Sequence, residues 1–423
     1  MKMAKNVNKL ILHPSRLEGK IKVGGAKNSA LRLLAASLLT SSPVIIKNYP
    51  STLLDVDIHV EMLEVLGKHC KLINENEIEI TELRFPSSHL IWNKRSIRNT
   101  LLILGALVAR TGQGKVPLPG GCQLGDRKYD LHIMILKSLG AKVWQEDNYL
   151  CAEISGNKKL QGSDIYLPIR STGATENSII CACLAEGQTR IWGPHIRPEI
   201  HDLINFLRSM GAKIEVRGQE SIIVEGVEQL GGTTHEVIPD NIEALTWLIG
   251  SAVTNGDVEI VDFPFEHLEV PLIHLRESGV RFYRSENHLI VRGSKCYPID
   301  ISTGPYPGIN SDMQPLFAVL GAMAQGESRI IDLRFPGRYA YAQELAKMGM
   351  IYQVKNNLLL IEGGKNLQGN EVKALDLRAG AALMIASLIA NSPTTITNAW
   401  QIFRGYDQLE KKLTQLGVNW QSD

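Results

Sequence analysis

The stretch Leu63-Glu-Val-Leu-Gly67 reads as the end of an amphipathic helix closed by a glycine, and it is the first of six such closures. The others are Leu136-Lys-Ser-Leu-Gly140, Leu207-Arg-Ser-Met-Gly211, Leu275-Arg-Glu-Ser-Gly279, Leu345-Ala-Lys-Met-Gly349 and Leu413-Thr-Gln-Leu-Gly417. Successive glycines lie 73, 71, 68, 70 and 68 residues apart. Each fits the position just past a helix end, where left-handed geometry lets the backbone satisfy the last carbonyls. A strand-like run follows each one.

A second pattern keeps time with the first. A helix of small apolar residues ends in a short polar turn and feeds a β-branched strand. Leu184-Ala-Glu-Gly187 precedes Thr189-Arg-Ile-Trp192, Val253-Thr-Asn-Gly256 precedes Val258-Glu-Ile-Val261, and Ala324-Gln-Gly326 precedes Ser328-Arg-Ile-Ile331. The run from Ala379 to Ala390 is apolar on nearly all faces, which predicts a buried helix. Repeats of about 70 residues are longer than the usual solenoid unit. Three such units make a domain of ordinary size, so six predict two similar α/β domains. Helix–glycine–strand is common in α/β proteins, but a near-constant interval over a whole chain is not.

Composition narrows the function. The chain has 423 residues, 44% of them hydrophobic, enough for two or three domains. Its 45 basic and 44 acidic side chains nearly cancel, which argues against a nucleic-acid binder that relies on bulk charge. Its 6 cysteines include no Cys-x-x-Cys pair, as expected for free thiols in a reducing compartment. The only apolar run near the start, Leu10-Ile-Leu12, is too short for a signal peptide, and no run reaches the ~18 residues of a membrane helix. A soluble, cytoplasmic protein without a membrane partner is expected.

One thiol stands apart. Leu118-Pro-Gly-Gly-Cys-Gln-Leu-Gly-Asp-Arg127 places Cys122 on a glycine-rich turn just before Arg127. Gly120, Gly121 and Gly125 permit a tight turn, and a nearby cation stabilises a thiolate. That suits a thiol which transfers protons or attacks a substrate. The alternative is an ordinary surface loop whose cysteine tucks inward as a small hydrophobe.

Five segments, in order, resemble the enolpyruvyl transferases: Gly24-Gly-Ala-Lys-Asn28, the Leu118–Arg127 loop continued by Asp130-Leu-His132, Ser311-Asp-Met-Gln314, Asp376-Leu-Arg378 and Arg404-Gly-Tyr406. The resemblance covers essentially the whole chain. It is strongest to the branch of the family that uses UDP-N-acetylglucosamine in peptidoglycan synthesis. It implies two inside-out α/β barrel domains of three helix–strand repeats each, with helices in the middle. One domain would run from Ile21 to Gly232 and carry the Cys loop. The other would comprise residues 1–20 and 233–423, with the active site in a cleft that closes over the substrates.

The chemistry implied is addition followed by elimination. Carbon 3 of phosphoenolpyruvate gains a proton while an acceptor hydroxyl attacks carbon 2; the adduct then expels phosphate and loses a proton. The resemblance makes Cys122 the general acid, with a covalent phosphoenolpyruvate adduct as a further role. Asp312 would be the base for the acceptor hydroxyl, or else a helix N-cap. Lys27, Arg127, Arg338, Arg378 and Arg404 would bind phosphoenolpyruvate, a small anion that needs several cations. Lys27 and Asp376 join Cys122 and Asp312 as catalytic candidates; the alternative for Asp376 is a structural pairing with Arg378. Asn28, Arg98, Arg127, Lys128, Tyr129, Asp130, Leu131, Ser171, Thr172, Gly173, Asp312 and Arg334 would receive the acceptor. His132 would line the pocket or be a satisfied buried histidine. No metal or other cofactor is implied. The family's epoxide inhibitor fosfomycin would alkylate Cys122.

The chain also departs from the family pattern. Lys128 replaces a proline, Arg197-Pro-Glu199 a Glu-Pro-Glu, and Asp240-Asn-Ile-Glu243 an Asp-Arg-Ile-Glu. Arg334 replaces an apolar residue, and Gln401-Ile-Phe-Arg-Gly-Tyr406 a His-x-Asp-Arg-Gly-Tyr. The phosphoenolpyruvate cations are intact while positions toward the acceptor change. Two readings follow: a divergent cell-wall enzyme whose changes compensate one another, or a paralogue that uses another uridine nucleotide such as UMP. A non-catalytic binding protein on the same fold is the third reading, and retention of Cys122, Asp312 and Lys27 speaks against it.

Overall fold

The computed structural model describes residues 7–120, 129–156 and 159–423. The chain forms two compact units. The first comprises Gly25–Ser51 and Asp55–Ile238; the second comprises the residues up to Gly24, Thr52–Leu54 and Pro239–Asp423.

In the first unit lie α1 (Lys27–Ala36), α2 (Leu54–Leu66, its first residue excepted), α3 (Thr100–Thr111), α4 (Asp130–Ser138), α5 (Thr172–Ala182) and α6 (Pro198–Ser209). The second unit holds α7 (Asn241–Val253), α8 (Glu269–Glu277), α9 (Gln314–Met323), α10 (Ala340–Lys347), α11 (Leu377–Leu388) and α12 (Leu409–Gln415). The glycines that close α2, α4, α6, α8, α10 and α12 have φ of 110°, 91°, 102°, 85°, 101° and 73°. All six therefore occupy the left-handed region, as the sequence pattern requires.

A strand hairpin follows five of these glycines. Lys68–Asn74 pairs antiparallel with Glu77–Glu82, Lys142–Glu146 with Tyr149–Glu153, and Lys213–Arg217 with Ser221–Glu225. In the second unit Arg281–Arg284 pairs with His288–Arg292, and Ile351–Lys355 with Leu358–Glu362. After the sixth glycine the single strand Trp420–Ser422 pairs instead with Lys9–Leu12, so the start of the chain completes the last repeat.

Each unit has three separate sheets, and among the described residues no sheet closes on itself. The strands bury alternate residues: in Asp257–Val261 only Val258 and Ile260 are buried. One face therefore meets the core and the other meets water. The helices of the second pattern are buried all round. Every residue of α11 is buried, and α7, α9 and α11 pack on one another. In the first unit α3 packs on α1 and α5. This is the inside-out arrangement: helices in the middle, sheets outside.

The expected cut at Ile21 would divide the strand Glu18–Lys22, which runs parallel to Asp257–Val261 in the second unit. The expected cut at Thr233 falls before Thr233–Glu236, which runs parallel to Val44–Lys47 in the first unit. The contact boundaries lie at Gly24/Gly25 and Ile238/Pro239 instead. Among the described residues no helix is long and apolar enough to cross a membrane.

Candidate active site

The second unit gathers Asp312, Arg338, Asp376 and Arg378. Arg338 Nη1 donates to Asp312 Oδ1 at 2.9 Å and to Ser311 Oγ at 3.0 Å. Its Nη2 lies 3.9 Å from Asp376 Oδ2, and Arg378 Nε lies 3.7 Å from Asp312 Oδ2. Both are ion-pair distances beyond hydrogen-bond range. Arg338 Nη2 and Arg378 Nε and Nη1 are buried and have no hydrogen-bond partner among the described residues. An unpaired buried donor on a charged group is costly, so such donors mark a place for an anion.

Both guanidiniums remain charged. Burial opposes the charge of Arg378, yet Tyr406, Asp312 and Asp240 together hold it above the usual arginine range. Burial likewise opposes Arg338, and Asp312 and Asp376 outweigh it. Each has its Cζ over an aromatic ring, Arg378 at 5.6 Å from the Tyr406 centroid and Arg338 at 5.8 Å from that of Phe335. At these distances the ring face attracts a cation.

Asp376 is the N-cap of α11, accepting from the backbone N–H of Arg378 at 2.7 Å and of Ala379 at 2.9 Å. Its structural role is thus toward the Arg378 backbone. The alternative role of Asp312 as an N-cap is corrected: Met313 occupies that position of α9 without a side-chain cap. The Asp312 carboxylate is drawn to Arg338 instead, while Asn310 Oδ1 accepts from the Asp312 N–H at 3.0 Å.

Asp332 holds this region in place. It is fully buried and accepts from Thr303 Oγ1 at 2.9 Å, from Ser311 Oγ, from Gln314 Nε2 at 3.3 Å, and from the backbone N–H of Arg334 and Phe335 at 2.9 and 2.8 Å. Arg334 itself is exposed and lies 5.6 Å over the Phe335 ring. Arg404 is buried; its Nη1 donates to Gln401 Oε1 at 2.8 Å, so one altered residue supports a retained cation. The Arg404 segment reaches Arg378 through Tyr406, whose ring lies under the Arg378 Cζ, and through Gly405, where a Cβ would lie 3.4 Å from Arg378 Nη1. Asp240 caps α7, and neighbouring Glu243 binds Lys412, the indole of Trp247 and the N–H of Gly24.

In the first unit Lys27 opens α1, buried, with its Nζ 2.7 Å from Asp55 Oδ2. Asn28 follows, half-buried. Ser171 caps α5 by accepting from the Ala174 N–H at 3.4 Å. Thr172 Oγ1 lies 3.0 Å from His195 Nδ1. Gly173 faces His132, whose Nε2 would lie 3.3 Å from any Cβ at that position. His132 is buried, and its Nδ1 has no partner among the described residues, so within them it is not the fully satisfied histidine of the alternative reading. Burial, aided by Arg98 and Arg32, pushes its pKa down to about 3, and the ring is neutral. Tyr129 donates to Gln145 Oε1 at 3.0 Å, Asp130 opens α4 exposed to solvent, and Leu131 is half-buried.

Cys122, Arg127 and Lys128 lie outside the described residues, as do Gly121 and Gly125. The described stem of their loop is tight: a Cβ on Gly120 would come within 2.2 Å of the Ser96 carbonyl oxygen. The other cysteines are buried. Burial pushes the Cys70 and Cys183 thiols up to about 12 and that of Cys296 up to about 11. It also raises Cys151 and Cys181.

Sequence reasoning missed four supports: Asp55 beside Lys27, the Asp332 hub, Lys412 beside Glu243, and a pair of buried ion pairs. In the last, Arg32 Nε lies 2.8 Å from Glu176, and Arg197 forks onto Glu199 at 2.7 and 2.8 Å. The extra charge of Arg197 is thus met by its own neighbour. Burial raises the pKa of Glu176; for Glu199 burial acts in the same direction, but Arg197 overcomes it. The one available signal was the acid at the start of α2, a favoured place that says nothing of its partner.

A model of the EPSP synthase (3-phosphoshikimate 1-carboxyvinyltransferase) family matches residues 11–413. The UDP-N-acetylglucosamine 1-carboxyvinyltransferase 1 of Caldanaerobacter subterraneus is 40% identical over 406 residues, 95% of this chain and 96% of its own. The UDP-N-acetylglucosamine 1-carboxyvinyltransferase of Prochlorococcus marinus is 40% identical over 417 residues, 98% of this chain and 91% of its own. Among solved structures, the enolpyruvyl transferase NikO from Streptomyces tendae superposes with a TM-score of 0.89 over 99% of both chains at 24% identity. An EPSP synthase from Acinetobacter baumannii gives 0.75 at 17% identity, over 98% of this chain and 100% of its own. These two likenesses concern the fold. By the span of the family match and the near-complete coverage of its relatives, the chain belongs to the EPSP synthase family of enolpyruvyl (carboxyvinyl) transferases.

Proposed function

We propose that this enzyme transfers the enolpyruvyl group of phosphoenolpyruvate to the 3-hydroxyl of the sugar of UDP-N-acetylglucosamine, releasing phosphate, in the cytoplasmic stage of peptidoglycan synthesis. The observation that carries the reading is 40% identity, over nearly the whole chain, to relatives named for that reaction. The buried, unpartnered donors of Arg338 and Arg378 support it, because a compact phosphate- and carboxylate-bearing substrate is what such donors bind best.

Cys122 delivers a proton to carbon 3 of phosphoenolpyruvate as the acceptor oxygen bonds to carbon 2. Asp312 takes the hydroxyl proton, with one of its oxygens fixed by Arg338. Breaking the bond between carbon 2 and the phosphate oxygen expels phosphate, and loss of a proton from carbon 3 restores the double bond. Arg127, Arg338, Arg378, Arg404 and Lys27 hold the anion, and Asp376 steadies the cationic character that develops at carbon 2. Asn28, Arg98, Lys128, Tyr129, Asp130, Leu131, Ser171, Thr172, Gly173 and Arg334 receive the acceptor. No cofactor takes part.

Steady-state phosphate release with phosphoenolpyruvate and a panel of uridine nucleotides tests the acceptor. The reading expects kcat/KM for UDP-N-acetylglucosamine to exceed that for UMP by at least about a hundredfold, a difference of roughly 2.8 kcal/mol. The reverse order assigns the enzyme to another uridine-nucleotide acceptor.

A further inference from the structure

The segment from Gly193 to Arg197, between the strand Gln188–Trp192 and α6, is tied to the first turn of α5 by two contacts of a single residue. The backbone N–H of His195 donates to Thr175 Oγ1 at 3.0 Å, and Thr175 Oγ1 donates to the Ser171 carbonyl at 2.9 Å. The imidazole Nδ1 of His195 lies 3.0 Å from Thr172 Oγ1. The ends of the segment are also fixed. Arg197 forks onto buried Glu199, and Gly193, at φ 66°, sits where a Cβ would lie 3.1 Å from the Leu167 carbonyl oxygen. The ring of His195 is therefore placed against Thr172 by its surroundings and is not a freely rotating surface side chain.

The contact has two chemical forms. In one, the Thr172 hydroxyl donates to Nδ1 and turns its lone pairs outward. In the other, Nδ1–H donates to Thr172 Oγ1, and the hydroxyl hydrogen is released for another acceptor. The first turn of α5 already favours negative charge through its backbone N–H groups. Close by, buried neutral His132 faces Gly173 with its Nε2 and Cε1 edge, and its Nδ1 has no hydrogen-bond partner among the described residues. An oxyanion at this turn selects the second form, because only then does Thr172 offer a donor.

We propose that His195 is a positioning residue for acceptor recognition: it donates from Nδ1 to Thr172 Oγ1 and so directs the Thr172 O–H onto a phosphate oxygen of the nucleotide acceptor. The proton stays on the imidazole, and no covalent step is involved. This rests on the reading above that Ser171, Thr172 and Gly173 receive the acceptor. His195 was not among the residues that the sequence singled out.

The test uses the full-length enzyme with UDP-N-acetylglucosamine and phosphoenolpyruvate, and compares Thr172→Val, His195→Ala and His195→Asn. A hydrogen bond to a charged group is worth enough to shift affinity by about tenfold or more. Thr172→Val is expected to raise the acceptor KM about tenfold or more, and His195→Ala about three- to tenfold, with the phosphoenolpyruvate KM within about twofold. Asparagine can place an amide N–H where Nδ1–H stood, so His195→Asn is expected to recover most of the loss. It also serves if the alanine variant fails to fold. If Thr172→Val raises the acceptor KM and His195→Ala does not, the role of His195 is overturned while the acceptor reading stands. If neither variant moves the acceptor KM, the acceptor reading at α5 fails and the proposal falls with it. Equal rises in both substrates' KM, unrescued by asparagine, mean that His195 merely supports the fold, which also overturns the proposal.

Discussion

Arg338 binds Asp312 through Nη1, which donates to Oδ1 at 2.9 Å, while its Nη2 is buried without a hydrogen-bond partner among the described residues. The carboxylate thus orients the cation without using up its donors. Replacing Arg338 by lysine keeps a charge but loses the planar fork. Arg338→Lys is expected to lower kcat/KM for phosphoenolpyruvate by about 10- to 100-fold, in line with the loss of one or two charge-assisted hydrogen bonds. Steady-state kinetics with phosphoenolpyruvate as the varied substrate checks it. An unchanged kcat/KM would remove Arg338 from the anion site.

Asp376 caps α11, and the proposed mechanism gives it a second role at carbon 2 that substitution can separate from the first. Asparagine caps a helix about as well as aspartate, whereas alanine loses about 1 kcal/mol. Asp376→Asn is expected to keep the thermal midpoint within experimental scatter yet lower kcat at least about tenfold. Asp376→Ala is expected to lower both. Calorimetry and kinetics on the same preparations check this. If Asp376→Asn retains full turnover, Asp376 is a helix cap alone.

The cysteines should react unequally with fosfomycin. An epoxide is opened by thiolate, and the described cysteines are buried with raised pKa values. Peptide mass spectrometry is expected to find one adduct, on Cys122, and none on Cys70, Cys151, Cys181, Cys183 or Cys296. A Cys122→Ala variant is expected to lose both the adduct and at least about 99% of turnover.

Two buried histidines should make the protein acid-sensitive. Burial, with Arg32 as a second cause, pushes His59 down to about 3, and His132 is likewise pushed to about 3. Both are neutral in the folded protein and titrate near 6.5 once unfolded. The unfolded chain therefore binds more protons between about pH 6.5 and 3, and folding stability declines as pH falls through that window. Each histidine contributes up to about 1.4 kcal/mol per pH unit there. Denaturant unfolding at pH 7 and 5 is expected to show a smaller pH effect in a His59→Gln/His132→Gln variant than in the parent protein. An identical pH effect in both would show that these histidines are protonated in the folded state.

The repeat architecture was legible because its signal is local. A glycine that must adopt left-handed φ after an amphipathic helix is visible one residue at a time, and all six do so. The buried helices were legible because α9 and α11 have no polar face to turn outward. The supports of the site were not legible, because they join residues far apart in the chain. Nothing around Asp332, at the end of the strand Glu327–Ile331, announces that Thr303, Ser311 and Gln314 will converge on it. Asp312 is instructive in the other direction. Its position before an apolar helix suggests a cap, yet the helix begins at Gln314, and the stronger attraction of two guanidiniums takes the carboxylate. Arg197 shows how counting charge misleads: it adds a cation to the sequence, and Glu199 absorbs it.

Acceptor-dependent release of phosphate is the signature of the proposed transfer. Purified enzyme, phosphoenolpyruvate and UDP-N-acetylglucosamine are mixed, and inorganic phosphate and the nucleotide product are followed together. One phosphate per enolpyruvyl-UDP-N-acetylglucosamine formed, no phosphate without the acceptor, and loss of both signals in Cys122→Ala are expected. Phosphate release that does not need the acceptor, or no product from a folded enzyme at saturating levels of both substrates, would contradict the proposed transfer.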